Sequence, residues 1–93
     1  MIKLAVAPRF ARHYAALSKT EQSRCDEAVG ALPEAFGQPH RHAGLGIRAL
    51  RRGVYECRAG LNLRIGFTQH GDTLLLQVVG DHGALRRWLR DAI

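Results

Sequence analysis

The stretch VYECRAGLNLRIGFT, residues 54–68, alternates with almost no fault. Its odd positions, Tyr55, Cys57, Ala59, Leu61, Leu63, Ile65 and Phe67, are all apolar. Its even positions include Glu56, Arg58, Asn62, Arg64 and Thr68. Period-two alternation marks β-strand with one buried face. A slip of one residue would exchange the faces, so the hairpin turn must hold an odd number of residues. A three-residue loop, Arg58–Ala59–Gly60, fits a common hairpin type and sets Glu56 opposite Asn62. A loop centred one residue later sets Glu56 opposite Arg64. Either register leaves one polar face carrying two arginines, a carboxylate and an amide.

Working outward, the next turn, near His70–Gly71, needs an even count. A two-residue loop pairs Phe67 with Leu74 and Ile65 with Leu76, and sets Arg64 opposite Gln77. Residues 73–79 (TLLLQVV) are apolar on both faces, as a central strand would be. Residues 47–51 (IRALR) suit a short strand before the hairpin. Upstream, residues 33–46 carry Pro and Gly without periodicity and read as loop. Ile2–Ala7 suits another strand. Pro8 fits a first helical turn, and Phe10, Tyr14 and Leu17 make the apolar stripe of a helix over 8–17. Ser18 and Glu21 have capping-box spacing and open a second helix. Cys25, Val29 and Leu32 form its stripe, and Pro33 is expected to stop it. After Gly80–Asp81–His82–Gly83, residues 84–92 suit a last helix, with Leu85, Trp88 and Leu89 on one side and Arg86, Arg87 and Arg90 largely on the other.

The expected fold is α+β. An N-terminal strand and a helical hairpin pack on one face of a three- to four-stranded antiparallel sheet, followed by a short C-terminal helix. The other sheet face is expected to be open and polar. Ninety-three residues make a single domain, 1–93. The chain has no repeats and no low-complexity segment. The N-terminal apolar run is too short for a signal peptide or a membrane span, so a cytoplasmic protein is expected. Cys25 and Cys57 fall on apolar faces, as core thiols in a reducing compartment would.

Net charge is +6, and twelve of the fourteen basic residues are arginine. Arginine pairs bidentately with phosphate, whereas lysine acts as a point charge. A basic domain of this size suits nucleic acid or an acidic partner protein.

The segment GLGIRALRRGVYECRAGLNLRIGFTQHGDTLLLQVVGDH resembles the RelE/ParE superfamily of bacterial toxins from toxin–antitoxin pairs. YECRAG, LRIGF and VVGDHGALRRWL carry the resemblance, which covers essentially the whole chain. It implies a cognate antitoxin as partner, and one of two activities. RelE-like members are ribosome-dependent mRNA endonucleases, acting on mRNA in the ribosome. ParE-like members inhibit DNA gyrase and have no nuclease site. A third reading is a degenerate toxin that only binds its antitoxin.

Such RNA cleavage uses the ribose 2′-hydroxyl as nucleophile. It needs a base, an acid for the leaving oxygen, and positive charge on the phosphorane. By resemblance, Arg64 matches the arginine that contacts the scissile phosphate, with Arg58 beside it. His82 resembles the C-terminal histidine of YafQ-, YoeB- and HigB-type nucleases and suits an acid or base, since the unperturbed pKa of a histidine side chain is near neutral, ~6.5. His42, ranked above His40, lies in the loop where relatives place a candidate base. Convergence of His42 and His82 on Arg64 would favour the nuclease over a gyrase inhibitor. Arg48, Arg51, Arg52, Asn62 and Arg86 are expected to bind RNA. Glu56, with arginines in reach, is expected to form a structural ion pair at the edge of the polar face, and Asp81 to cap the last helix. No cofactor is expected. His40 and His42 without further ligands make a poor metal site, so no metal is expected either. One departure stands out. Gly83 follows His82 where several relatives have tyrosine, and the nearest aromatic, Trp88, shares a core stripe. That moves the chain from the YoeB type toward a YafQ-like, histidine-based site.

Overall fold

The computed structural model describes residues 1–91. The elements are β1 (Lys3–Val6), α1 (Pro8–Ala15), α2 (Lys19–Ala35), α3 (Pro39–Gly44), β2 (Arg48–Arg51), β3 (Val54–Arg58), β4 (Arg64–His70), β5 (Thr73–Gly80) and α4 (His82–Asp91). The α+β class stands as read, with five strands in the order β1-β5-β4-β3-β2. β2 to β5 form the antiparallel meander. β1 joins as a fifth strand, parallel to β5. No helix among the described residues is long and apolar enough to cross a membrane.

The helical hairpin forms for local reasons visible in the chain. Pro8 occupies the first turn of α1. Ser18 caps α2 reciprocally: its side chain accepts from the Glu21 N–H at 3.2 Å, and its own N–H donates to Glu21 Oε1 at 3.0 Å. The Tyr14 hydroxyl donates to Asp26 Oδ1 at 2.8 Å and ties the two helices. Pro33 does not stop α2, which continues through Ala35. Proline removes one backbone donor, but Leu32 and Ala35 are buried on the sheet, and the Phe36 N–H still reaches Leu32 O at 3.0 Å. The turn comes at Gly37, where φ is +85°. Residues 39–44, expected as loop, form the single-turn helix α3. Pro39 starts it, and it buries no residue, so it leaves no apolar stripe to read.

The first hairpin keeps the odd loop count but is longer than expected. Arg58 pairs with Arg64, Cys57 with Ile65 and Glu56 with Gly66. The five-residue loop Ala59–Leu63 closes with the Ala59 N–H donating to Leu63 O at 2.8 Å. Ala59 and Leu63 turn into the core, and Leu61 and Asn62 are left exposed at the tip. Glu56 therefore faces neither Asn62 nor Arg64 directly. The second turn keeps its even count but uses Gly71–Asp72, with φ +64° at Gly71. Phe67 pairs with Leu76, not Leu74. Then the register shifts: Gly66 pairs with Val78, Ile65 with Val79 and Arg64 with Gly80, not Gln77. Gln77 is the extra residue of a β-bulge.

The bulge explains why β5 is apolar on both faces. Leu74, Leu76 and Val79 join Ile65, Phe67, Cys57 and the helical hairpin in the main core. Val78 points the other way, into a second cluster with Leu85 and Trp88 of α4. The helices thus do not all lie on one face. α1 and α2 cover one side, and α4 covers part of the side expected to be open. α4 starts at His82, two residues before its expected start, because Asp81 Oδ1 accepts from the Ala84 N–H at 2.8 Å and caps it. Its expected last residue, 92, lies outside the described residues.

Two consequences are measurable. A Cβ at Gly66 would fall against the Trp88 ring and the Val78 side chain. Gly66→Ala should destabilise by about 1–3 kcal/mol through overpacking. Gly30→Ala, where a Cβ meets nothing within 4 Å, should not destabilise. Urea unfolding of both variants checks this contrast.

Both cysteines are fully buried. Burial, with the charge of Asp26 nearby, pushes the Cys25 thiol up to about 11. Burial, then Cys25 and Glu56, pushes Cys57 up to about 12. An unfolded thiol titrates near ~8.5, so the stability tied to the neutral thiols is complete below that pH. It is lost as pH rises toward 11 and 12. Wild type should therefore lose more stability between pH 8 and pH 10.5 than Cys57→Ala does, by paired urea titrations. Equal losses would contradict the assignment.

Candidate functional site

The even positions of β3 and β4 share the face on which α4 lies, and at their centre is Glu56. It is 4 % exposed, a buried carboxylate among strands. Such a charge requires partners. Arg48 Nε on the edge strand lies 3.0 Å from Glu56 Oε2, and Arg64 NH1 on the other side lies 3.3 Å from the same oxygen. The register places both: Arg48 is the direct partner of Glu56 across β2–β3, and Arg64 sits diagonally on β4. Glu56 is thus not at the edge of the polar face. It is the buried hub of two ion pairs, and its carboxylate holds the Arg64 guanidinium in place.

Arg64 is about one-third exposed, and its open side faces a cleft of about 490 Å³. Leu61 and Asn62 of the hairpin tip and Asp81, His82 and Gly83 at the start of α4 line the rest. The bulge makes this meeting. Arg64 lies opposite Gly80, only two residues before His82. His82 also lines an adjoining groove of about 230 Å³ with Arg48, Glu56 and Arg86. One exposed imidazole therefore stands between Arg64 and Asn62 on one side and Arg48 and Arg86 on the other.

The remaining candidates lie elsewhere. His42 is on α3, where its Nδ1 accepts from the Gly37 N–H at 3.2 Å and its ring packs 5.8 Å from that of Phe36. Phe36 in turn packs on Tyr55 and Phe67, which belong to the sheet face opposite Glu56 and Arg64. His42 and His82 therefore do not converge on Arg64. His40 is exposed on α3. Arg58 pairs across the ladder with Arg64, but its side chain lies over Gly46 and is not part of the cleft wall. Arg51 and Arg52 are exposed at the β2–β3 turn, the far end of β3 from the cleft. Among the described residues, no three His, Cys, Asp or Glu side chains gather as metal ligands would.

Chemically, the cleft offers a fixed guanidinium, an imidazole, an amide and an exposed leucine. Asp81 is occupied as a helix cap and Glu56 by two arginines. Leu61 and Gly83 were missed as lining residues. Their only signal was proximity in sequence to Asn62 and His82.

No protein-family model and no curated protein matches the sequence. Solved structures do match. Escherichia coli YafQ superposes with a TM-score of 0.72 at 12 % identity, over 91 % of this chain and 98 % of that one. A chain of the RelB–RelE antitoxin–toxin complex of Methanococcus jannaschii matches with a TM-score of 0.68 at 19 % identity, over 90 % and 96 %. A chain of the archaeal RelE–RelB complex of Pyrococcus horikoshii matches with a TM-score of 0.69 at 14 % identity, over 88 % and 96 %. These similarities span nearly whole chains, and this protein has the fold of the RelE and YafQ toxins.

Proposed function

We propose that the chain is the toxin of a toxin–antitoxin pair and cleaves mRNA on the ribosome. The observation that carries this reading is the meeting of Arg64 and His82 in one cleft. Arg64 would stabilise the phosphorane formed by 2′-hydroxyl attack, and His82 would either take the proton of the 2′-hydroxyl as the 2′-O–P bond forms or give one to the 5′-oxygen as the P–O5′ bond breaks. Asn62 and Arg86 would orient the RNA beside them, and Arg48 would add charge to the adjoining groove.

The cleft contains one imidazole, that of His82, so a single chain offers one imidazole proton carrier there. The second proton step would then fall to RNA, water or the ribosome, which accords with cleavage that requires the ribosome. Several structural neighbours are solved with antitoxins, RelB and DinJ among them. A cognate antitoxin is accordingly proposed as the partner that holds this chain inactive, drawn to it by the net charge of +6. A cytoplasmic location follows from the same reading.

A second reading keeps the antitoxin but not the nuclease: a gyrase inhibitor, or a toxin reduced to antitoxin binding. The position of His42, away from Arg64, favours it, because the two-histidine set is not assembled.

Variants separate the two. His82 is exposed, so His82→Ala should lower mRNA cleavage on programmed ribosomes by ~10²–10⁴ with little change in thermal unfolding. Arg64→Ala should lower cleavage by ~10²–10³, and it should also lower the unfolding midpoint, since it removes one partner of buried Glu56. The double variant Arg64→Ala/Glu56→Gln should recover midpoint without recovering cleavage. Full cleavage by both single variants would remove the nuclease and leave the binding protein.

A further inference from the structure

Two grooves meet at His82. One is the Arg64 cleft, and the other, of about 230 Å³, is lined by α4, β2 and Glu56 of β3. His82, Leu85, Arg86 and Leu89 recur at helical spacing, so one stripe of α4 lines the second groove. Leu85 is buried, and Leu50 and Leu89 are half-buried, which gives the groove apolar walls. Arg48 and Arg86 are exposed and give it a cationic rim.

Glu56 is satisfied on one side only. Arg48 Nε and Arg64 NH1 both close on its Oε2, at 3.0 Å and 3.3 Å. Among the described residues, no group donates a hydrogen bond to Oε1. Oε1 is not sealed from solvent either, because His13 Nδ1 is the one sealed side-chain atom without a partner among those residues. This oxygen therefore opens on the groove that Glu56 lines. The sheet and two arginines hold it in place. A carboxylate oxygen only accepts, so what completes it is a donor from outside the chain.

We propose that this groove seats one nucleobase of the RNA, and that Glu56 Oε1 accepts from the exocyclic amino group of that base. The ligand class, RNA, rests on the nuclease reading. The groove is smaller than the ~300–1,000 Å³ of pockets for drug-sized ligands, which suits a single ring system. Leu50 and Leu89 offer apolar contact to a planar ring, and the Arg86 guanidinium, one helical turn from His82, can stack on it. Arg48 and Arg86 favour a ligand that carries phosphates. They oppose a cationic side chain of a protein, the other donor that a carboxylate would take. One side chain, His82, separates the groove from the Arg64 cleft, so the base belongs to a nucleotide next to the reacting phosphate. Adenine, cytosine and guanine carry an amino group. Uracil presents O4 where cytosine presents its amine, and sets oxygen against oxygen. Glu56 thus makes the site selective against uracil at that position.

Cytidine and uridine 3′,5′-bisphosphates differ at that edge and make the probe pair. Each is titrated into the full chain and followed by the methyl NMR shifts of Leu50 and Leu89. Saturable binding of the cytidine compound is expected, about tenfold or more tighter than that of the uridine compound, the worth of a hydrogen bond to a charged group. Glu56→Gln should reverse the order. Its amide oxygen satisfies the arginines, which only donate, and its NH2 turns to the groove as a donor for O4. Arg87→Ala, on another side of α4, should keep the wild-type ratio. Equal affinity of the wild type for the two nucleotides overturns the proposal, whether or not Glu56→Gln folds. So does the absence of saturable binding, an unchanged order in folded Glu56→Gln, or the same methyl shifts produced by inorganic phosphate or by N-acetylarginine amide. Binding is read without ribosomes and without cleavage, so the two claims fail separately. Selective binding without any mRNA cutting would end the nuclease and keep the pocket, and cutting with unselective binding would do the reverse.

Discussion

The ring of Trp88 rests on the bare backbone of Gly66, and most of what is distinctive in this molecule depends on that contact. A side chain at position 66 would hold α4 off the sheet. With glycine there, the helix settles onto β4 and β5, and Val78 closes the second small core beneath it. The bulge at Gln77 belongs to the same device. It turns Val78 toward α4 while Val79 stays with the main core, and it brings Arg64 opposite Gly80. His82, at the first turn of α4, then has no distance to travel to reach the cleft. Packing at Gly66 is therefore also positioning at His82.

The second constraint is electrostatic. A carboxylate buried in a sheet stays charged only with compensation at hydrogen-bond range. Arg48 and Arg64 provide it from the two neighbouring strands. The pairing stabilises the sheet, and it also narrows the orientations open to the Arg64 guanidinium. A fixed cation acts on developing charge without reorganising, which is what phosphoryl chemistry requires of it. One interaction thus contributes to the fold and to the proposed site together.

Much of this was legible in the chain, and the failures have physical causes. Alternation over 54–68 set the face of each residue of β3 and of β4 through Thr68, because burial of one face tolerates no slip. The Ser18–Glu21 capping box placed the start of α2 correctly. Loop length was not legible, since odd loops of three and five residues preserve the same alternation. The bulge was hidden because TLLLQVV is apolar throughout and records no change of face. Gly66 was its one available sign, an even position without a polar side chain, where glycine inside a strand signals a bulge or a close approach. His42 was misplaced relative to Arg64 for another reason. α3 buries nothing, and no sequence pattern shows on which side of the sheet a solvated turn will lie. His82 and Arg64, by contrast, sit on regular elements that the hydrophobic pattern anchors, and the structure does bring them into one cleft.

The central functional claim is that this cleft acts on mRNA already threaded through a ribosome. The most direct measurement maps new mRNA 5′ ends after purified wild-type protein is added to translating ribosomes, beside the same mRNA without ribosomes. The account predicts discrete cuts within translated codons in the first sample and intact RNA in the second. Uncut mRNA on ribosomes, or equal cutting of naked mRNA, would contradict it.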